Sequence, residues 1–214
     1  MKVKLLTHTT EPDKLVGIAA AKCTDTEDYD KARMHSLASG HDSVAEHAVF
    51  TFEISDVSRA LLAQLTRHRI ASFSVQSQRY VRMSPITSVV PPKIMENPAA
   101  LALFQETLQK IGDTYDTLIN EYGIAKEDAR YITPQGACTS LVMTMNGREL
   151  RHFFSLRCCN RAQWEIRELA DLMLAECRKV APALFADAGP GCITGGCPET
   201  RPCKQGPRLE LKVS

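Results

Sequence analysis

Polar and apolar residues alternate briefly from Lys2 to His8. They alternate again where Ala48, Phe50, Phe52 and Ile54 interleave with Val49, Thr51, Glu53 and Ser55. A side-chain period of two predicts strands, the second of them half-buried. Ser55 and Asp56 can cap a helix beginning near Val57, where Val57, Leu61 and Leu65 recur at helical spacing without Gly or Pro. Arg67, His68 and Arg69 then fall in or just after its last turn. From Phe73 to Val81 the β-branched and aromatic content rises, but Ser84-Pro85 and Pro91-Pro92 punctuate the next stretch of chain, predicting a short extended segment and a loop. A long helix from about Pro98 to Tyr122, closed by Gly123, lines up Leu101, Phe104, Leu108, Ile111, Tyr115 and Leu118 on one stripe that reads as core. Beyond it the pattern predicts a short helix over 126–132 and a strand over 135–145. One or two helices come next over 148–185, broken near Cys158 to Asn160. Met143, Met145, Phe153 and Phe154 read as core. This order predicts an α+β fold, a single domain of helices packed on a mixed or antiparallel sheet over 1–187. A short tail rich in Cys, Gly and Pro completes the chain over 188–214.

Composition adds little to that picture and removes several classes from it. The chain has 214 residues, 44% of them hydrophobic and 24% charged, which suits one globular core and excludes disorder and coiled coils. The N-terminus has no signal-like apolar run, and no segment is apolar enough to span a bilayer, so a cytoplasmic location with no membrane contact is expected. Without a secretory leader, the eight cysteines read as reduced thiols or metal ligands. Cys192, Cys197 and Cys203 are spaced too loosely for a zinc-ribbon knuckle, although Cys158 or Cys159 could add a fourth thiol. His41, Glu46 and His47 lack the spacing of a His-Glu-x-x-His helix, and no metal is expected there.

The formal net charge of +1 gives no global basic field, so any attraction for anions must come from local clustering. No Asp or Glu occurs between Asp56 and Glu96, while Arg59, Arg67, Arg69, Arg79, Arg82 and Lys93 all lie inside that interval. Arginine forks beside the hydroxyls of Ser72, Ser74 and Ser77 match phosphate and carboxylate oxygens, which points to a phosphorylated ligand. The competing reading pairs these cations with the helix dipole and with distant acids. Three consecutive residues span roughly 200° of a helix, so Arg67, His68 and Arg69 cannot all face one ligand. A second basic cluster runs from Asn146 through Arg148, Arg151, His152, Arg157 and Arg161. Arg148 and His152 lie on one helix face there, as do Arg157 and Arg161 if the helix continues.

The run Arg67-His68-Arg69, seven residues, then Ser77 resembles the signature of the flavin-dependent thymidylate synthases. Gly40-His41-Asp42-Ser43 through Glu46-His47, then Asn146-x-Arg148, His152, Leu156-Arg157 and Ala162-Gln163-Trp164-Glu165, are similar to that family's segments in its order, covering about 35–187. The resemblance implies an FAD enzyme that reductively methylates dUMP to dTMP. Methylenetetrahydrofolate would give the carbon and NADPH the electrons, in a homotetramer whose sites form where subunits meet. It implies FAD contacts from Ser43, Arg67, His68, Arg69, Asn146, Arg148 and His152. It implies dUMP contacts from Gln64, Arg67, Ser77, Gln78, Arg79, Arg130 and Arg157. Arg157 would be the catalytic residue, stabilising the uracil ring as its imide loses a proton. No cysteine stands in the Pro-Cys-Gln setting of a classical thymidylate synthase, Pro202-Cys203-Lys204 being a near miss, and flavin chemistry removes that need. No Gly-x-Gly-x-x-Gly follows a strand, so FAD binding rests on the resemblance. The chain departs from many members at Ser74, Val75 and Arg161, and Val75 cannot hydrogen-bond through its side chain. The alternatives are a flavin-dependent C5-methylase of another uridine nucleotide and a nucleic-acid-binding module using Phe73, Tyr80 and Trp164. With 6% aromatics and so small a net charge, no nucleic-acid partner is expected.

Overall fold

Phe50, Phe52 and Ile54 lie fully buried on one face of strand β2 (Val49–Ser58). Leu141, Met143 and Met145 are buried in the same alternation along strand β4 (Cys138–Asn146). Each large side chain withdrawn from water in this way contributes about 1.5–3 kcal/mol. Strands β1 (Lys2–His8) and β3 (Ala71–Val75) complete an antiparallel sheet of order β1-β2-β4-β3, the α+β architecture predicted from the pattern. The computed structural model describes residues 1–193 and 196–205, so the rest of the predicted tail lies outside the described residues. The chain forms two compact units, each considered by itself.

One unit comprises Met1–Lys2, Ile54–Gln64 and Ser74–Leu141. Here the predicted helix start is corrected. β2 continues through the fully buried Val57 to Ser58, and helix α3 (Arg59–Leu65) comes directly after it. Asp56 takes a left-handed backbone (φ 59°), after which Val57 and Ser58 are buried consecutively and the strand alternation ends. The capping oxygen is Ser58 Oγ, which accepts from the Leu61 N–H at 2.9 Å. Helix α4 (Pro92–Met95) leads into α5 (Pro98–Asn120), capped by Asn97 and opened by Pro98. The stripe predicted to be core is core only at its C-terminal end. Tyr115 is buried with Met83, with Ala129 at the end of helix α6 (Lys126–Ala129) and with Ala137 just before β4. Toward its N-terminal end, Phe104, Leu108 and Ile111 line an apolar groove of about 360 Å³ with Ile94 and Leu103.

The other unit comprises Val3–Glu53, Leu65–Phe73 and the chain from Val142 onward. Two helices that the hydrophobic pattern did not delineate, α1 (Pro12–Thr24) and α2 (Tyr29–Ala38), belong to it. The buried face of α1 is Val16, Gly17, Ala20 and Ala21, whose small side chains give weak apolar contrast. Gly17 is required by close approach, because a Cβ there would lie 2.8 Å from the Tyr29 carbonyl oxygen. Helix α7 (Gly147–Arg157) is capped by Asn146, whose Oδ1 accepts from the Glu149 N–H. Helix α8 (Trp164–Val180) buries Ile166, Leu169, Ala170, Met173, Leu174 and Cys177 at helical spacing. The break between α7 and α8 falls where the sequence predicted it, which leaves Arg161 outside the α7 face that carries Arg157. Phe50, Phe154 and Phe185 meet edge to face, with centroids 5.4 and 5.8 Å apart. The first residues of the predicted tail, Ala188 to Pro190, are buried, and the Gly191 N–H donates to the Ser155 carbonyl.

A short 3-10 helix (Asp42–His47) packs against the start of α7, where a Cβ on Gly147 would meet the Ala45 carbonyl oxygen at 2.8 Å. Gly147→Ala is therefore expected to destabilise the fold by about 1–3 kcal/mol. Denaturant unfolding should show a lower midpoint with an unchanged slope.

Candidate functional site

The Arg-His-Arg triplet lies just after α3, off the helix to which an angular spacing of about 100° per residue applies, and its members still divide. Arg67 and Arg69 are exposed and make no hydrogen bond or ion pair among the described residues. His68 is 5% exposed. Its Nδ1 lies 2.8 Å from Oε1 of Glu149, itself 7% exposed, and its Nε2 lies 3.2 Å from Arg157 Nε. Arginine Nε is always a donor, so His68 Nε2 must accept, and in a neutral ring the proton must sit on Nδ1 and donate to Glu149. Burial holds the His68 pKa below its ordinary value, Arg157 and His152 add to that, and Glu149 opposes it. Burial also lowers the pKa of Arg157 from its ordinary value, although guanidinium stays charged. The Nη atoms of Arg157 carry no hydrogen bond among the described residues, so this guanidinium is tethered by one edge and open at the other.

Helix α7 also walls a cavity of about 600 Å³, lined by Asn146, Arg148, Arg151, His152 and Ser155 together with Asp42, Glu46 and Gly189. Its acids are matched to its bases. Arg148 meets Glu46, while Arg151 forks onto Asp187 at 2.7 and 3.2 Å and approaches Asp42 at 3.6 Å. Glu46 raises the Arg148 pKa, and Arg151 holds the Asp187 carboxyl below its usual range. Ser43 sits on the same 3-10 helix as Asp42 and Glu46 but not in the cavity lining. The Arg148–Glu46 pair is exposed and hence weak, so an incoming phosphate could replace the carboxylate at little cost.

In the other unit, Gln64 lies on α3, Ser77 and Arg79 follow β3, and Arg130 begins the turn after α6. Glu127 joins two of them, accepting from Arg79 Nε at 2.7 Å through its carboxylate and from Arg130 Nε through its carbonyl. Gln78 is buried, and its Nε2 has no partner among the described residues, as does Thr139 Oγ1 in a nearby cavity of about 220 Å³ lined also by Gln76, Arg82 and Ser140. Such orphaned polar atoms are uncommon in a folded protein and suit a ligand with matching groups. Tertiary pairing reaches part of the acid-free interval, Arg79 meeting Glu127 and Arg82 meeting Asp116, and Lys93 meets Glu96 three residues along the chain. Arg59, Arg67 and Arg69 have no acid partner among the described residues, and of these Arg67 and Arg69 are exposed.

The model of the thymidylate synthase complementing protein family matches residues 4–183. The chain belongs to this family. A flavin-dependent thymidylate synthase of Geobacter sulfurreducens is 47% identical over 93% of this chain and 91% of its own length, and one from Nitratidesulfovibrio vulgaris is 46% identical over 92% and 91%. Among solved structures, the flavin-dependent thymidylate synthase of Helicobacter pylori, complexed with FAD and dUMP, is 26% identical. It superposes with a TM-score of 0.72 over 88% of this chain and all of that one.

Within this family frame, Glu149, Arg151, Asp187 and Thr139 are the residues that sequence reasoning missed as site components. Arg151 was visible in the second basic cluster, and Glu149 stands three residues after Asn146, but no periodicity says that it reaches His68 across 81 positions. In the cysteine tail, Cys192 lies in the electrostatic field of Cys159, Cys197 and Cys203. No three acid, imidazole or thiol groups among the described residues are arranged to hold a metal ion. No helix among the described residues is long and apolar enough to cross a membrane.

The lowered pKa of His68 has a stability consequence. Below the ordinary histidine value of about 6.5, the unfolded chain binds a proton that the folded chain resists. Stability is therefore complete above that value and falls as pH drops through it toward the folded pKa. Asp187 adds a second loss in the carboxylate range. Urea unfolding at pH 7.5 and 5.5 should show this decline, and His68→Gln should flatten the upper part of it.

Proposed function

We propose that the chain converts dUMP to dTMP with FAD, taking the carbon from methylenetetrahydrofolate and the electrons from NADPH. Membership of the family across residues 4–183 carries this reading. The relatives of like length carry the name flavin-dependent thymidylate synthase, and the Helicobacter pylori enzyme is described with FAD and dUMP. The chemistry of the donor set fits both ligands. Ser43, Arg67, Arg69, Asn146, Arg148 and His152 would hold FAD, the arginine forks suiting its phosphates, and His68 is the buried member of that set, both its ring nitrogens being engaged by Glu149 and Arg157. Gln64, Arg67, Ser77, Gln78, Arg79, Arg130 and Arg157 would hold dUMP. Bound FAD supplies hydride chemistry, which removes the need for a cysteine nucleophile.

Arg157 stabilises the uracil as negative charge develops at its imide, a task for an always-charged fork placed where water is partly excluded. Its open edge supports the role, since a donor already used by an acid could not serve a developing anion. Gln78 supports the substrate role in another way, because its buried Nε2 lacks a partner that a nucleotide oxygen would provide.

We infer further that the active form is a homotetramer with sites at subunit interfaces. The apolar groove along the N-terminal half of α5 supports a second copy as its occupant, because a stripe of Phe104, Leu108 and Ile111 left open to water is costly.

Purified protein should be yellow, should change its visible spectrum on adding dUMP, and should form dTMP when given methylenetetrahydrofolate and NADPH. Absence of flavin binding or of a dUMP response would overturn the assignment. Arg157→Ala should lower turnover by about 100–1,000-fold with flavin retained. Arg69→Ala should instead lose flavin during gel filtration, and equal activity in the two variants would reverse the roles given to them.

A further inference from the structure

We propose that Glu149 is a positioning residue for Arg157, acting through the tautomer of His68. The inference rests on the function proposed above and adds a residue to it. Arg157 Nε donates to His68 Nε2, so that nitrogen needs a lone pair, and the single ring proton is confined to Nδ1. Glu149 Oε1, 2.8 Å from Nδ1, is the acceptor that keeps it there. The chain of groups thus has one direction, from carboxylate to imidazole to guanidinium. It holds the guanidinium at its Nε edge and leaves both Nη groups without a hydrogen bond among the described residues.

The placement of Glu149 shows the same priority. Asn146 and Glu149 stand at the cap and third positions of α7, the spacing at which a glutamate ordinarily folds back onto the cap N–H. Asn146 makes its half of that exchange, accepting from the Glu149 N–H at 2.9 Å. The Glu149 side chain instead turns inward to His68, where the positive end of the helix dipole favours negative charge. The groups facing His68 are Glu149, His152 and Arg157, with Phe153 edge-on at 5.0 Å. Apart from Glu149, none of them offers an acceptor to the buried Nδ1–H among the described residues.

Without that acceptor the buried Nδ1–H is left unsatisfied, and the ring relieves that cost by carrying its proton on Nε2 or by turning over, either of which removes the lone pair that accepts from Arg157 Nε–H. The guanidinium then loses its tether. The loss falls on substrate affinity and turnover, because Arg157 stands among the proposed dUMP contacts and not among those to FAD.

The test uses holoprotein labelled with ¹⁵N-histidine, the His68 signals being assigned by their loss in His68→Gln. In the native protein at neutral pH the ring should show a protonated Nδ1 and an unprotonated Nε2. Glu149→Leu should shift the ring toward the Nε2–H form and weaken dUMP binding, measured by equilibrium dialysis on the flavin-loaded protein, by about 10–100-fold. Glu149→Gln, whose amide oxygen can still accept from Nδ1–H, should restore the native tautomer and bring dUMP affinity back to within about threefold. If the leucine variant does not fold, Glu149→Asp, which withdraws the carboxylate by one methylene, should show the weakened binding in its place. A native tautomer together with native dUMP affinity in the leucine or aspartate variant would overturn the proposal, as would a glutamine variant that binds as weakly as the leucine one. Native holoprotein that fails to bind dUMP would overturn the function itself, whereas the tautomer is read without any substrate present.

Discussion

The contact between the Glu149 carboxylate and the His68 imidazole is the constraint on which the candidate site depends. Both groups are almost wholly buried, and a buried polar atom left unpaired costs about 1–3 kcal/mol. Each is therefore committed to the other. Because the second ring nitrogen is committed to Arg157, a choice of proton position in the interior sets the orientation of a guanidinium at the surface. Protonating this imidazole would place a second cation against Arg157, which is why burial and the Arg157 charge both lower its pKa while Glu149 opposes them.

The start of α7 is the joint that places these groups. Asn146 caps the helix, Gly147 admits the Ala45 carbonyl, Arg148 meets Glu46, Glu149 turns inward, and Arg151 reaches Asp187 and Asp42. Five of six consecutive residues thus have distinct tertiary tasks, and a helix rotation of one residue would exchange a buried carboxylate for an exposed arginine. Strand β4 sets that rotation, since Met143 and Met145 are buried and the helix begins one residue after the strand ends. Packing of an apolar strand thereby fixes the angular position of polar groups that have no apolar signal of their own.

Charge obeys a different logic. The acid-free interval from Asp56 to Glu96 is a property of the linear chain, and folding removes part of it by bringing Glu127 to Arg79 and Asp116 to Arg82. These pairs are exposed and weak, and a phosphate can compete with them. Arg59, Arg67 and Arg69 stay without acid partners among the described residues, so local sequence overstated the number of available cations by the three that folding pairs.

Strands β1, β2 and β4, the long helix α5 and the break between α7 and α8 were legible because alternation and helical spacing are local properties of the chain. Helices α1 and α2 were not, since Gly17, Ala20 and Ala21 bury a face too small to mark a period. The apolar stripe of α5 was read correctly as a stripe and incorrectly as core along its whole length, because periodicity shows that a face is apolar and not what covers it. The Arg67-His68-Arg69 and Ser77 spacing, Asn146, Arg148, His152 and Arg157 were all in view from the sequence, which by itself determined the family and the residue types of the site. Only tertiary structure decided that His68 would be the buried member of its triplet and that Glu149 and Arg157 would take its two nitrogens. The reason is physical: hydrogen-bond partners 81 and 89 residues apart are chosen by which unsatisfied groups are excluded from water together, and no periodicity along the chain records that choice.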